Sequence, residues 1–555
     1  MSVRSLARIS ESLGPQRTRD ELLPFVFEAE DEDEVLTELA TQLGNMLAHV
    51  GGENYVDHLL SPLEALCATE DVSVRDRAVK SICSLMSNVP GSVHGKFFFP
   101  LLQRLAKKEW FAARSSSCGL FAIGYRHANA EAQSEMRKMY ASLCADNTPL
   151  VRRSATKHIG SFAKTMQASF VQDAMMPLFV RLSKDDQDSV RLVAIESCVE
   201  LSHLLPSAAR GNQILPVALR LSQDPCWRVR WSVAKNIANL CETLEKSTIE
   251  KLVLESYVKL LQDSEAEVRT SAAGSIARFS KFVSKAAILE KLLPCMNSLV
   301  SDPSEHVRSA LASEIMGMAS FDKASTATHL IPLYLRLLKD TSSDVRLNII
   351  SKMSDVNKTV GVELLSDSLL VPIRELAEDP QWRVRLAIMQ YIPLVAKQLG
   401  VKFFDQKLGS LCIEWLEDPV FAIRSAATEN LSRIAKLFGP QWTSSRIVPS
   451  ILKLRDSKSY LLRVTLLKAI SVLALDVDKD TKRGKLLPAV LALASDRVAN
   501  VRFNAANALR SLGESGLASE IVASKIVPCL KNMQDNDSDR DVKYLSKQCL
   551  VRGGR

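Results

Sequence analysis

Long apolar runs and paired cysteines are both missing from this sequence of 555 residues. No stretch of 18 uninterrupted apolar residues occurs, and the start MSVRSLARIS has no long apolar segment, so neither a membrane span nor a secretion signal is predicted. The eleven cysteines are an odd number and never form a Cys-x-x-Cys pair. Free thiols in a reducing compartment are therefore expected, with the cytoplasm as the first location and the nucleus as the second.

Glycine, proline and excess charge are also sparse. Gly and Pro number only 21 each, too few for long flexible linkers, which favours a continuous folded body. The net charge of +8 is dilute and no dense Lys/Arg run occurs, so nucleic acid is not an expected partner. The longest charge block is acidic, Glu28 to Glu34 (EAEDEDE), and is typical of a solvated loop or a first helical turn.

Signatures of catalysis and metal binding are absent as well. All eight histidines lie between His49 and His329, so the last 226 residues alone cannot assemble a His-dependent site. No His-Glu-x-x-His, Gly-x-Ser-x-Gly or Rossmann glycine pattern occurs, and Gly91 to Phe97 (GSVHGKF) has the wrong spacing for a phosphate loop. We expect no enzyme activity, cofactor, metal or small-molecule substrate.

What the sequence does contain is a repeat. An arginine recurs at intervals of 38 or 39 residues, at Arg75, Arg114, Arg152, Arg191, Arg230, Arg269, Arg308, Arg346, Arg385, Arg424, Arg463 and Arg502. An aspartate stands six residues before most of them, at Asp146, Asp185, Asp224, Asp263, Asp302, Asp340, Asp379, Asp418 and Asp496. A proline leads by 13 or 14 residues, at Pro62, Pro100, Pro177, Pro216, Pro294, Pro332, Pro372, Pro449 and Pro488.

Apolar residues between these markers recur at helical spacing, which predicts a pair of helices in each unit. The first helix is expected to open near the proline, and the second at the aspartate, whose carboxylate can cap free N–H groups. Such hairpins must stack on their neighbours to bury their apolar faces. The period and pattern resemble HEAT repeats and predict one all-α, elongated and curved solenoid over residues 1–555, with a partial first repeat at 1–14 and then fourteen repeats.

The recurring Asp and Arg residues could be a binding array. We favour a structural role, because a position filled in the same way in nearly every unit serves what every unit needs. Charge-assisted hydrogen bonds between an arginine and a carboxylate would tie one turn to the next.

Function is sought where a variable position acquires an unusual residue. The position three before the repeat arginine varies between units and accepts Glu305 in one and Ser343 in another, yet Trp382, Phe421 and Tyr460 occupy it in three successive units. We place this position in the turn between the paired helices and expect the rings to be partly exposed, as at protein interfaces. The alternative is that each ring folds back over its own helix pair.

A second aromatic set shares this register nearer the start of the chain. Phe111 and Trp227 occupy the same position, with Trp110 and Arg228 beside them. Two separated sets suggest two partners, and a protein that holds two partners raises their effective concentration for each other without catalysis.

Longer strings identify a specific resemblance. RTRDELLPF (17–25), EWFAARSSSCGLF (109–121), DNTPLVRRSA (146–155), DQDSVRL (186–192), WRVRLAI (382–388), LGVKFFDQKLGSLC (399–412) and VANVRFN (498–504) closely resemble the scaffold, or A, subunit of protein phosphatase 2A. The resemblance runs over essentially the whole chain. It implies a horseshoe-like scaffold of HEAT repeats, with a phosphatase catalytic subunit on the C-terminal repeats and an exchangeable regulatory, B-type subunit on the N-terminal repeats.

The resemblance also implies contact residues. The expected catalytic-subunit surface comprises Trp382, Arg383, Val420, Phe421, Tyr460, Arg463, Phe503 and Tyr544. The expected regulatory-subunit surface comprises Trp110, Phe111, Pro149, Arg152, Arg153, Asp185, Gln187, Ser189, Trp227 and Arg228. Members of the family begin with a complete first repeat, whereas this sequence begins inside it.

Two other functions stay open. A HEAT-type nuclear transport adaptor of the importin kind is the main alternative, although such receptors usually offer an acidic inner surface that a chain of net charge +8 does not obviously supply. A pulldown with Ran-GTP separates it from a phosphatase scaffold. An enzyme in its own right would show turnover in the purified chain without a copurifying partner.

Overall fold

A computed structural model describes residues 3–27, 32–318, 321–355 and 362–552, with the side chains of 362–369 and 551–552 left undescribed. Residues 28–31 of the acidic block therefore lie outside the described residues. The chain divides into two compact units, Met1–Cys295 with Gly317–Ser320, and Met296–Met316 with Phe321–Arg555. We call them the N-terminal unit and the C-terminal unit. Helices and turns make up the described residues, and no strand is present among them.

Both units consist of helical hairpins, each with a first and a second helix. The second helices are Leu6–Arg17, Asp33–Leu43, Val72–Ser87, Phe111–Ser117 continued by Phe121–Tyr125, Pro149–Ala163, Asp188–Ser202, Trp227–Cys241, Ala266–Ala273 continued by Ile276–Ser280, Glu305–Glu314, Ser343–Ser351, the first part of Trp382–Lys407, Phe421–Phe438, Tyr460–Leu473, Ala499–Glu514 and Arg540–Arg552. Gly14 and Gly400 have φ of 77° and 79°, and each ends a second helix inside what is otherwise one continuous helical segment.

Most of the first helices begin several residues before the proline that was expected to open them. Their α-helical parts are Leu23–Phe27, Asp57–Leu66, Phe99–Lys107, Ala130–Leu143, Met176–Leu182, Leu215–Leu221, Leu254–Leu261, Leu293–Leu299, Ile331–Leu338, Val362–Ala377, Gly409–Glu414, Val448–Leu452, Leu487–Leu493 and Val527–Asn536. Ten of these are preceded by a five-residue π-helical turn: Thr18–Leu22, His94–Phe98, Val171–Met175, Arg210–Ile214, Ile249–Val253, Ile288–Leu292, Thr326–Leu330, Thr443–Ile447, Lys482–Leu486 and Val522–Ile526.

The π-turns explain how a proline fits inside these helices. The helical segment that contains Pro100, for example, already begins at Gly91, so the proline lies in the first turn of the α-helical part, Phe99–Lys107, as expected, but does not open the whole segment. Proline lacks an N–H group, and its ring needs room beside the preceding turn. The wider π-turn supplies that room: the N–H of Phe99 bonds to the carbonyl of His94, five residues back. In nine of the ten π-turns, the second residue after the turn is proline, and the exception is Glu255.

Buried tyrosines join the two helices of some hairpins. The hydroxyl of Tyr140, in a first helix, donates a hydrogen bond of 2.6 Å to the carbonyl of Ala155 in the following second helix. Tyr257 and Tyr334, at the same register, make the equivalent bonds to the carbonyls 15 residues on, at 2.6 Å and 3.1 Å. Such a ring fills the space between the helices and gives its hydroxyl a partner, as a buried polar group requires.

The recurring arginines and aspartates form a ladder between hairpins. In nine described pairs, the arginine Nε lies 2.6–2.9 Å from Oδ2 of the aspartate in the next hairpin: Arg114–Asp146, Arg152–Asp185, Arg191–Asp224, Arg230–Asp263, Arg308–Asp340, Arg346–Asp379, Arg385–Asp418, Arg463–Asp496 and Arg502–Asp537. Nη1 of Arg230 also donates to the carbonyl of Asp224, six residues earlier, at 2.8 Å. The structural interpretation of these charges is confirmed, and we call this set the Arg–Asp ladder.

The ladder aspartates also stabilise the turn between the helices. Oδ1 of Asp146 accepts the N–H of Thr148 at 2.8 Å, and Oδ1 of Asp418 accepts that of Val420 at 2.8 Å. Thr148 and Val420 each precede the first helical residue, so these carboxylates close the turn. We had expected them to cap the helix itself, and in these two hairpins they do not. Asp71 does cap its helix, accepting the N–H groups of Ser73 and Val74.

None of the eleven cysteines, all of which lie in the described ranges, forms a disulfide bond. Burial raises the pKa of most of them, for example that of Cys144 to about 12, which disfavours the reactive thiolate form. No helix in the described part of the chain is both long and apolar enough to cross a membrane. Within the same ranges, no group of three or more His, Cys, Asp or Glu side chains is placed to hold a metal ion.

Candidate functional site: two rows of aromatic residues

The turn before each second helix positions the aromatic residues. Trp382, Phe421 and Tyr460 are each the first residue of a second helix, so they lie at its start and not inside the turn as we had predicted. The residue before each has an extended backbone, which the ladder aspartate or its equivalent holds by accepting that residue's N–H. The three rings, which we call the C-terminal row, therefore occupy equivalent places in successive hairpins.

The C-terminal row is partly exposed. The exposed fraction is 64% for Phe421 and 41% for Tyr460, while Trp382 is half-buried. The guanidinium of Arg383 lies 5.0 Å from the centroid of the Trp382 ring. Nζ of Lys468, in the next hairpin, lies 5.6 Å from that of Phe421. Cations against aromatic faces leave a surface that is both apolar and positive.

The remaining predicted contacts in the C-terminal unit differ in accessibility. Tyr544 is 66% exposed, and Val420 and Phe503 are half-buried. Arg463 is buried and its guanidinium is committed to the ladder through Asp496 at 2.7 Å. Its direct contribution to a partner is therefore small, and its role in the described structure is to hold the hairpin that carries Tyr460.

Trp110, Phe111 and Trp227 form the N-terminal row. The exposed fraction of Trp110 is 42%, and its ring centroid lies 4.7 Å from that of half-buried Phe111. The guanidinium of exposed Arg228 lies 5.2 Å from the centroid of the Trp227 ring, which is also half-buried. The N-terminal unit thus repeats the arrangement of aromatic ring and cation found for Trp382.

The other predicted contacts of the N-terminal unit fall into two groups. Arg153 and Gln187 are exposed, and Pro149 and Ser189 are half-buried. Arg152 and Asp185 bind each other, with 2.6 Å between Nε and Oδ2. This pair belongs to the ladder, so sequence position alone did not separate the residues that hold hairpins together from those that face solvent.

A groove that the sequence reasoning missed lies beside the N-terminal row. Its cavity of about 220 Å³ is lined by exposed Val72 and Leu150, by Phe111 and by the cationic side chains of Lys80, Arg153 and Lys157. Leu150 stands two residues before its repeat arginine, and Leu461, also exposed, stands at the same register in the C-terminal unit. A comparison of that register across the repeats would have found both leucines.

His158 makes this groove sensitive to pH. Burial and, to a smaller extent, neighbouring Lys157 lower the pKa of its imidazole to about 4, while Asp76 opposes the shift. Arg75, Lys80 and Arg153 are the other charged groups of the groove. Because the unfolded imidazole takes up a proton near pH 6.5, the contribution to stability is complete above that pH and is lost as the pH falls to 4.

We expect the N-terminal unit to lose about 3 kcal/mol between pH 6.5 and 4 through His158. Urea denaturation at several pH values, with hydrogen exchange to assign the transition, measures this loss. His158→Gln should flatten the profile in that window without changing stability much at pH 7.5. An unchanged slope in the variant would show that other groups cause the pH dependence.

Comparisons with known proteins agree with the repeat structure. A family model described as PPP2R1A-like HEAT repeat matches residues 248–322 and 323–400. A second model, described as HEAT repeat, matches residues 214–244 and 486–516. Together they confirm the all-α, HEAT-repeat fold.

Curated relatives carry related descriptions. The protein phosphatase 2A scaffold subunit of Dictyostelium discoideum is 45% identical over 179 residues, which cover 32% of this chain and 31% of that protein. The alpha isoform of the 65 kDa regulatory A subunit of serine/threonine-protein phosphatase 2A from Arabidopsis thaliana is 45% identical over 171 residues, 31% of this chain and 29% of that one. The human beta isoform is 44% identical over 167 residues, 30% and 28% of the two chains. The resemblance to the scaffold subunits of phosphatase 2A is confirmed, over less than a third of the relatives' length.

Solved structures show a similar fold. Kap95p, from a structure with RanGDP, aligns with a TM-score of 0.64 at 13% identity over 100% of this chain and 78% of that one. Kap121p bound to Ste12p aligns with a TM-score of 0.60 at 14% identity over 97% and 57%. At such low identity, the likeness shows the fold alone.

Proposed function

We propose that this chain of HEAT repeats, similar to the scaffold subunits of phosphatase 2A, is a non-catalytic scaffold. Its C-terminal unit holds a protein serine/threonine phosphatase catalytic subunit, and its N-terminal unit holds a regulatory, B-type subunit. The observation that carries the proposal is the exposure of aromatic side chains at one place in successive hairpins, Phe421 and Tyr460 above all. Exposed aromatic clusters with neighbouring cations are typical of protein interfaces.

Two features of the described structure support separate binding surfaces for two partners. The rows lie in different compact units, Trp110 to Trp227 in one and Trp382 to Tyr460 in the other. Each row lies at the start of second helices that Arg–Asp ladder pairs join to their neighbours, such as Arg385–Asp418 between the hairpins of Trp382 and Phe421, so each surface is largely preorganised. On a preorganised surface, the free-energy cost of ordering side chains when a partner binds is small.

The test measures affinity for the purified catalytic subunit of phosphatase 2A by surface plasmon resonance, with the full chain immobilised. Trp382→Ala and Phe421→Ala should each weaken binding by about 2 kcal/mol, roughly 30-fold, because each removes an aromatic contact at the centre of the surface. Helical circular dichroism should not change, since both side chains lie on the surface.

A matched control lies just beyond the far end of the helix that begins with Tyr460, the third residue of the C-terminal row. Leu475 is 74% exposed and follows the end of helix Tyr460–Leu473, the helix that Tyr460 begins. Leu475→Ala should leave the affinity unchanged, and Trp110→Ala should weaken binding of a B-type subunit but not of the catalytic subunit. Equal affinity of wild type, Trp382→Ala and Phe421→Ala for the catalytic subunit would refute the assignment of this surface. Binding of Ran-GTP without phosphatase would favour transport instead.

A further inference from the structure

Arg424 is a ladder arginine without an aspartate. Its Nη1 donates to the carbonyls of Asp418 and Pro419 at 2.7 Å and 2.9 Å, as other ladder arginines do to their own turns. The side chain is only 4% exposed, yet its Nε has no hydrogen-bond partner. A buried guanidinium N–H without a partner is costly, because this donor has lost its water. Arg75 is the other arginine with no aspartate at the matching position, where Lys108 stands.

The position of the missing aspartate is taken by Ser457. Ser457 stands six residues before Arg463, as Asp496 stands six before Arg502. Its carbonyl accepts Nη1 of Arg463 at 2.7 Å, and its Oγ accepts the N–H of Ser459 at 3.2 Å. Asp496 makes both of the equivalent bonds, at 2.9 Å each. The serine therefore closes the turn with its hydroxyl as the aspartate does with its carboxylate. It supplies no carboxylate for Arg424, the ladder arginine of the preceding hairpin.

Among the residues that the structure describes, no carboxylate binds the Nε of Arg424 in its place. Asp456 precedes Ser457, but its side chain is largely exposed and binds Arg455 at 2.9 Å. Ser457 itself is half-buried in a turn whose flanking residues, Arg455, Asp456, Lys458 and Ser459, are exposed. The Ser457 hydroxyl thus lies in a surface turn beside the cations Arg455 and Lys458. In other hairpins a carboxylate at this position binds the preceding ladder arginine, which here is Arg424.

We propose that Ser457 is a phosphorylation site and that its phosphate completes the ladder by binding Arg424. A protein kinase supplies the group: the bond from Oγ to the γ-phosphorus of a nucleoside triphosphate forms, the bond to the β-phosphate oxygen breaks, the nucleoside diphosphate leaves and the hydroxyl proton passes to solvent. The phosphate brings about −1.5 to −2 charges and three acceptor oxygens. The planar fork of an arginine, Nε with Nη2, receives such oxygens in pairs.

The first experiment tests the new contact in the full chain. Phosphoserine is incorporated at position 457 during synthesis, and hydrogen exchange is followed in helices Phe421–Phe438 and Tyr460–Leu473. Exchange in both should slow about 10-fold relative to the unmodified chain, the effect of one charge-assisted pair. Ser457→Asp, which recreates the pair used in other hairpins, should slow exchange in the same helices.

The controls isolate Arg424. In an Arg424→Lys background, which keeps the charge but not the fork, the slowing should largely vanish, and in Arg424→Gln it should vanish entirely. Phosphoserine at position 459 should give no slowing that depends on Arg424. A gain that persists without Arg424, or no gain with phosphoserine at 457, overturns the proposal.

The second experiment asks whether cells make the modification. Trypsin cuts after Arg455 and Lys458 and leaves a three-residue fragment, so the chain purified with phosphatase inhibitors is digested with chymotrypsin, which releases Arg455–Tyr460. Phosphate on Ser457, absent from Ser457→Ala, is the expected result. Recovery of this peptide without phosphate, or with phosphate on Ser459, refutes the site. Neither experiment uses a phosphatase subunit, so their outcome is independent of the proposed scaffold function.

Discussion

Replacing Arg230 by alanine is expected to destabilise the N-terminal unit by about 3 kcal/mol, because it leaves the carboxylate of Asp263 buried without its cation. In the native ladder, Nε and Nη2 of Arg230 lie 2.6 Å and 2.8 Å from the two oxygens of Asp263. Since hairpins contact mainly their neighbours, the loss should be local. Hydrogen exchange should accelerate in helices Trp227–Cys241 and Ala266–Ala273 and stay unchanged in the C-terminal unit.

An exposed ion pair nearby provides the control. Arg278 and Glu242, both about half exposed, lie 3.3 Å apart in the same unit, so Arg278→Ala should cost less than about 1 kcal/mol. Equal losses for Arg230→Ala and Arg278→Ala would contradict a structural role for the ladder.

The ladder pair also has a defined pH range. Burial alone would raise the pKa of Asp263, but hydrogen bonds from Arg230 and from the N–H of Glu265 outweigh it and lower the pKa. The stability from this pair is therefore present above about pH 4, where the unfolded carboxyl is ionised, and is lost as the pH falls through the lower folded value. Arg230→Ala should remove this loss in acid.

Tyr140→Ala is expected to cost about 4 kcal/mol, since it empties a fully buried site. The ring packs against Phe121 and Phe162, at centroid distances of 5.0 Å and 4.7 Å, and its hydroxyl binds the carbonyl of Ala155. Urea denaturation followed by tryptophan fluorescence measures the loss. Tyr140→Phe keeps the ring and should cost only about 1 kcal/mol, the value of one buried hydrogen bond.

Exposed Tyr544 supplies the matching surface variant. Tyr544→Ala should change stability by less than about 0.5 kcal/mol, because two thirds of this side chain already contacts water. If Tyr140→Ala were as mild as Tyr544→Ala, the buried tyrosines would not join the helices of a hairpin as the structure indicates.

The helical hairpins could be predicted from the sequence because identical residues must serve identical contacts in every unit. The spacing of Arg191 and Arg230 indicates a repeat, and Asp224, which recurs at the same spacing, supplies the carboxylate that Arg191 binds. The π-turns could not be predicted. Pro100 is equally compatible with a helix start and with a helix interior, and the choice depends on backbone hydrogen bonds such as that from Phe99 to His94.

The candidate site was predicted less completely. Register identified Trp382, Phe421 and Tyr460, because a residue that differs from its equivalents stands out in a repeat. The exposure of each ring could not be predicted from the sequence. Phe421 and Trp382 share a register, yet the Phe421 ring is mostly exposed, whereas the Trp382 ring is half-buried with the guanidinium of Arg383 over it. The side chain of Arg463 proved to be buried in the ladder, which no one-dimensional pattern reports.

The sequence by itself therefore determined the repeat, its helices and the pairing of its charges, because periodicity reflects contacts that every hairpin makes. Only the tertiary structure decided which side chains remain in water and which buried donors lack a partner, because both depend on atoms contributed by the neighbouring hairpin. Arg424 and Ser457 show the difference: the sequence has a serine where other repeats have aspartate, but only the packed hairpins show that the Nε of Arg424 is buried without a hydrogen-bond partner.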